Sequence, residues 1–293
     1  MIKVSIFNDY LTLCKPKVVL LMLITAWVGM YLASPHALQW HAIAFGTLGI
    51  ASAASAAAII NHLMDRQIDR KMSRTAARPI ATGRITPLRA LLFAASLGIV
   101  AWFVLSQLVN MTTALLTFAT LIGYAVIYTM YLKRATPQNI VIGGLSGAMP
   151  PLLGWTAISG TIHAHALLLV LIIFTWTPPH FWALAVYRAD DYAAAHIPML
   201  PVTHGIKFTK LCLLLYTLLL LAVSCLPFVV GMVGYLYLSS ALLLNGIFIY
   251  MALHLYKATG PAVHVYAIKT FNFSIIFLLL IFTALIADHG VHI

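Results

Sequence analysis

Asn61, Asp65 and Asp69 stand at every fourth residue of the segment NHLMDRQIDR. On a helix, at about 100° per residue, that spacing stacks them along one face, each about one turn beyond the last. Two carboxylates and a carboxamide in a column are hard oxygen ligands. They suit Mg²⁺, which is held by one or two carboxylates plus substrate phosphates. The chain runs on as KMSRTAARPIATGR, so Arg66, Arg70, Lys71, Arg74, Arg78 and Arg84 crowd around the acids. Guanidinium groups grip phosphate oxygens through forked, charge-assisted hydrogen bonds. The pattern predicts Asn61, Asp65 and Asp69 on a metal, with Arg66, Arg70, Lys71 and Arg78 on a phosphorylated substrate. Arg74, Arg84 and Arg89 read better as anchors to anionic lipid.

A second acidic cluster lies in YRADDYAAAHIPMLPV, where Asp190 and Asp191 follow an apolar run. A carboxylate site facing the first would let two metal ions bridge one diphosphate, and Asp191 is the expected ligand. Pro198 and Pro201 are expected to end any helix in this stretch. Lys133, directly after YAVIYTMYL, could neutralise a phosphate. Tyr124, Tyr128 and Tyr131 precede it and read either as an interfacial belt or, for Tyr128, as substrate contact. In WTPPHFWALA, His180 is the most deeply placed titratable group; it reads equally as a packed histidine and as a substrate contact or iron ligand. Gly143, Gly144 and Gly147 suggest close helix packing, and Pro150–Pro151 a kink. His62, His163, His165 and His204 show no metal spacing and read as surface or boundary residues.

The elements that must carry these groups follow from composition. Of 293 residues 62% are hydrophobic and 8% charged, against about 25% charged in ordinary soluble domains. That excludes a soluble enzyme, a disordered chain, a coiled coil and a disulfide scaffold. A membrane span needs about 20 apolar residues. Such runs fall at 16–34, 41–63, 89–108, 111–131, 140–158, 164–187, 209–231, 234–256 and 269–287. The expected fold is an all-α, polytopic bundle of nine transmembrane helices forming one domain over 1–293, with a central cavity and cytoplasmic catalytic loops. All 17 Lys and Arg residues lie in or beside the N-terminus and the connections 64–88, 132–139, 188–208 and 257–268. By the positive-inside rule these face the cytoplasm, which puts the C-terminus outside. The net charge of +11 therefore reads as topology and not as nucleic-acid binding.

With NxxxDxxxDR, YxxxLKR, WTPPHFWALA and DYxxAxIPMLPV in this order, the chain resembles the intramembrane aromatic prenyltransferases of the UbiA type. Within them it is most similar to the haem-farnesylating branch, because Asp191 is followed four residues later by Ala195 where quinone prenyltransferases carry a second DxxxD. The resemblance covers essentially the whole chain. It implies farnesyl diphosphate and haem b as substrates, Mg²⁺ as cofactor, and Asp65, Asp69, Asp191 and Lys133 as catalytic residues. It also implies a bacterial inner-membrane location and contact with haem A synthase or terminal-oxidase assembly. A quinone-precursor prenyltransferase would share the first motif, and a transporter would place acids at the membrane midplane in broken helices.

Overall fold

The computed structural model describes residues 6–34, 37–70, 72, 75–195 and 197–292. Lys71 and Arg74, both read above as basic neighbours of the acids, lie outside the described residues. Every regular element among the described residues is helical. In lipid each backbone N–H and C=O must be satisfied within the protein, and a helix does this within its own segment. Among the described residues eight helices are long and apolar enough to cross a membrane, and a bent pair at the N-terminus makes a ninth if it is counted as one span. This is the architecture expected from the apolar runs: a multi-pass membrane protein.

The chain divides into two compact units, 1–132 with 149–162, and 133–148 with 163–293. The first unit opens with the bent pair, α1 (Ile6–Leu13) and α2 (Pro16–Leu32), which meet at 46°. The long α3 (Trp40–Asp69), α4 (Pro87–Leu108) and α5 (Met111–Ile122) follow. The apolar run ends near residue 63, and α3 stays helical to Asp69, as the spacing of the acids requires. Hydropathy marks where apolar residues stop, not where hydrogen bonding does. The span begun by α5 finishes as a π-helix over Gly123–Leu132. The unit also contains α8 (Pro150–Ser159).

Close approach of α2 and α8 is written in two glycines. A Cβ on Gly154 would sit 1.9 Å from the Ala26 carbonyl oxygen, and one on Gly29 would sit 2.0 Å from that of Pro151. Small residues let membrane helices approach backbone to backbone, where dispersion contacts replace the hydrophobic effect. Beside this contact Ala26, Met30, Ile50, Leu153 and Ala157 form a buried cluster.

The second unit contains α6 (Lys133–Ala135), α7 (Asn139–Ala148), α9 (Ala164–Tyr187), α10 (Ala189–Ala194) and α11 (Leu200–Thr203). The spans α12 (Gly205–Val229), α13 (Tyr235–Lys257) and α14 (Ala262–His292) complete it. Pro201 lies in the first turn of α11 instead of ending a helix, because a first-turn N–H has no intrahelical partner to lose. Gly144 packs as expected, its would-be Cβ 2.8 Å from Thr177 Cγ2. Gly147 does not, since a Cβ there would meet nothing within 4 Å. At the other end of this unit the buried Asp288 accepts from the backbone N–H groups of Gly234 and Tyr237, capping α13.

Candidate active site

The last two turns of α3 carry the acidic column as its spacing requires. Asn61, Asp65 and Asp69 are 5%, 1% and 4% exposed. Asn61 Nδ2 donates to Asp65 Oδ2 at 3.0 Å, so adjacent turns are already coupled. A buried carboxylate is costly unless charge and hydrogen bonds compensate it. Arg78 supplies this for Asp69, its Nη1 lying 2.8 Å from both carboxylate oxygens.

Arg78 reaches back because the segment after α3 folds over the helix end. The Thr75 hydroxyl donates to the Asp69 carbonyl, one of the last carbonyls of α3, at 3.1 Å. Arg70 Nε donates to the Ala81 carbonyl at 2.9 Å, closing the loop on itself. Gly83 turns the chain at φ +79°, a left-handed conformation that suits glycine. Arg84 then ties the loop to α1: its Nε lies 3.0 and 3.1 Å from the two oxygens of buried Asp9, and its Nη2 donates to the Ala77 carbonyl. Leu13, Ile59, Ile80, Ile85, Ala90 and Ala94 pack beneath it. Arg66, by contrast, is exposed. The arginines expected together on phosphate thus divide: Arg78 meets the column, Arg70 braces the loop and Arg66 faces outward, while Arg84, expected as a lipid anchor, ties the loop to α1.

Two further residues of the first unit join the column. The π-helical end of the fourth span brings buried Thr129 within 3.4 Å of Asn61 Nδ2. Its hydroxyl donates to the Tyr124 carbonyl five residues back, at 2.8 Å. π-Helical turns recur at functional sites. Tyr124 and Tyr128 stack at 5.4 Å on the same segment, whereas Tyr131 is 70% exposed and separates from them. Lys15, between α1 and α2, reaches Asn61 Oδ1 with its Nζ at 2.7 Å. Its φ of +51° is the one positive value among the described non-glycine residues, and a left-handed residue costs about 1 kcal/mol. Neither residue was expected from the sequence. Thr129 vanishes in an apolar run, and Lys15 had been absorbed into the topology count; Lys-Pro-Lys before the first span was the available signal. His62, expected at a surface or boundary, is buried beside Asn61.

In the second unit, Asp191 lies in the first turn of α10, half-buried, accepting from Arg188 Nη1 at 3.0 Å. Asp190 beside it is exposed, and Lys133 opens the one-turn α6. His180 sits inside α9, which continues through Pro178 and Pro179. Its ring is sandwiched between Trp176 at 4.3 Å and Phe271 at 4.7 Å. Its Nδ1 pairs with Ser274 Oγ at 2.6 Å, and Trp176 Nε1 donates to the Ser274 carbonyl. A hydrogen bond at one ring nitrogen fixes the other, which is how protein ligands to a metal are commonly oriented.

Among the described residues no three His, Cys, Asp or Glu side chains converge on one point. A closed protein cage for a transition metal is therefore not what these residues form. Two buried carboxylates on one helix face fit Mg²⁺, which leaves most of its coordination to water and substrate phosphate.

The model of the UbiA prenyltransferase family matches residues 22–276. A protoheme IX farnesyltransferase of Legionella pneumophila (strain Paris) is 59% identical over 283 residues, covering 97% of this chain and 95% of the relative. That of Hahella chejuensis is 57% identical, covering 97% and 94%. Among solved structures, a UbiA homolog from Aeropyrum pernix superposes with a TM-score of 0.71 at 20% identity, covering 92% of this chain and 98% of that one. A UbiA homolog from Archaeoglobus fulgidus bound to GPP and Mg²⁺ gives 0.64 at 18%, covering 94% and 99%. A match over most of the chain, relatives above half identity at nearly full length, and the same helical fold lead to one conclusion: the chain belongs to the UbiA prenyltransferase family.

Proposed function

We propose that this protein transfers the farnesyl group of farnesyl diphosphate to a vinyl group of protohaem IX (haem b), with addition of water, giving haem O and diphosphate. The observation that carries the reading is the buried Asn61–Asp65–Asp69 column with Arg78 on its last carboxylate. The full-length likeness to protoheme IX farnesyltransferases selects the acceptor. A quinone-precursor prenyltransferase or a transporter finds no comparable support.

Breaking the allylic C–O bond releases charge onto the diphosphate oxygens, and Mg²⁺ bound there would offset that charge. The carboxylates of Asp65 and Asp69 would hold the metal, with Asn61 adding a neutral oxygen and Asp191 a further carboxylate. A family member of this fold solved with GPP and Mg²⁺ supports the metal dependence. Arg78, Lys71 and Lys133 serve the phosphate oxygens, while Arg70 holds the loop that carries Arg78. Tyr128, stacked on Tyr124, gives the allylic chain an aromatic wall that keeps water from the cation. The vinyl group attacks the allylic carbon, water captures the resulting cation, and its proton leaves with diphosphate. His180 contacts the porphyrin.

The whole chain 1–293 works as one prenyltransferase domain in the bacterial inner membrane, its N-terminus cytoplasmic and its C-terminus periplasmic. Its product passes to haem A synthase or terminal-oxidase assembly. Purified protein given farnesyl diphosphate, haem b and Mg²⁺ should form hydroxyethylfarnesyl haem, detected by mass. Transfer to 4-hydroxybenzoate in place of haem would sink the assignment.

A further inference from the structure

We propose that His180 is an axial ligand to the iron of haem b, its Nε2 lone pair held ready by a hydrogen-bond relay through Ser274. The proposal rests on haem b as the acceptor and deepens that reading: it names the atom of the porphyrin that the protein grips.

Two independent observations carry it, both within the second unit. The first is the relay. The buried Ser274 hydroxyl donates to the Phe271 carbonyl at 2.6 Å, so its single proton is committed within α14. Its oxygen lies 2.6 Å from His180 Nδ1 and, with no proton left to give, accepts there. His180 is therefore the Nδ1–H tautomer, which leaves the lone pair on Nε2. Nε2 makes no hydrogen bond with any described residue, although His180 is only 8% exposed. Buried polar atoms are nearly always paired within the protein, so an unpaired nitrogen here points to a partner from outside. A neutral imidazole nitrogen with a free lone pair is the commonest protein ligand to a metal, and haem b brings an iron.

The second observation is rigidity. Trp176 and Phe271 cover the two ring faces at 4.3 and 4.7 Å, tilted by only 19° and 28°. Phe181 meets the ring edge-on at 4.9 Å. Trp176 is itself fixed, because its Nε1 donates to the Ser274 carbonyl. The clamped imidazole keeps Nε2 in one direction. A ligating histidine whose other nitrogen donates to an oxygen is held in orientation and becomes a more basic ligand. On binding, the Nε2 lone pair forms the bond to iron, and no proton is released because Nε2 carries none. That bond sets the height and tilt of the porphyrin plane and leaves rotation about one axis to select the vinyl group. A porphyrin without a metal lacks this anchor.

The test compares binding of haem b, zinc protoporphyrin IX and metal-free protoporphyrin IX to purified protein in detergent. Wild type should hold the two metal porphyrins about tenfold or more tighter than the metal-free ring, or about 1.4 kcal/mol. His180→Ala should lose that difference and keep its affinity for the metal-free ring, which also reports that the variant is folded. Added imidazole should restore its Soret band. Ser274→Ala should still bind haem b, with a lower iron–imidazole stretching frequency in the resonance Raman spectrum of the ferrous complex. A packing role for the serine would leave that frequency in place. Equal wild-type affinity for haem b and the metal-free ring, or no iron–imidazole band in wild type, would overturn the proposal without any variant. Continued formation of hydroxyethylfarnesyl haem would then leave the acceptor standing. Wild type that neither binds haem b nor farnesylates it would overturn both.

Discussion

One guanidinium nitrogen of Arg78, Nη1, lies 2.8 Å from both carboxylate oxygens of Asp69. The acid is buried and the arginine half-buried, so each is the other's main compensation. Removing Arg78 leaves a buried carboxylate uncovered. Arg78→Met should cost about 2 kcal/mol of stability, below the range for fully buried pairs because the arginine keeps some solvent. The double variant Arg78→Met/Asp69→Asn should recover part of that loss in thermal unfolding. Losses that simply add would mean the pair is not coupled in the folded protein.

The acids should matter to chemistry more than to folding. Asp65→Asn is expected to lower farnesyl transfer more than tenfold, at least about 1.4 kcal/mol of transition-state stabilisation, with the protein still inserted. Asp191→Asn should raise the Mg²⁺ concentration needed for half the maximal rate. An unaltered Mg²⁺ requirement would return Asp191 to a local partner of Arg188.

His180→Ala should weaken haem b binding, read from the Soret band, and slow turnover while leaving Mg²⁺–diphosphate binding intact. Ser274→Ala, which frees the ring without removing it, should give a smaller effect in the same direction. An unchanged haem spectrum in both would make the Trp176–His180–Phe271 stack a packing feature.

The crossing of α2 and α8 should tolerate no methyl group. Gly154→Ala and Gly29→Ala each place a carbon about 2 Å from a backbone oxygen, and each should lose about 2–3 kcal/mol. Gly147→Ala enters open space and should leave the thermal midpoint unchanged or slightly higher. A neutral Gly154→Ala would contradict the close approach.

Orientation is tested by a cysteine at the exposed Ala77. In intact cells an impermeant maleimide should not reach it, and in inverted vesicles it should be labelled, while a reporter at the C-terminus should be periplasmic. Labelling in intact cells would reverse the assignment.

The sequence by itself determined the membrane-spanning helices and the Asn61–Asp65–Asp69 column. Apolar run length and i, i+4 spacing are local properties, and in lipid a helix is the available way to satisfy them. The sequence also brought the arginines to the acids, but not their division of labour. Arg66, Arg70, Arg78 and Arg84 look alike in composition. Only the fold of the 70–86 segment puts Arg78 on Asp69, Arg84 on Asp9 and Arg70 on the loop's own carbonyl. Lys15 meets Asn61 across 46 residues, Thr129 meets it across 68, and Ser274 meets His180 across 94. No spacing rule reaches that far. These contacts depend on a left-handed break, a π-helical turn and helix packing, whose geometry is settled by sterics between segments and not by the residues within one.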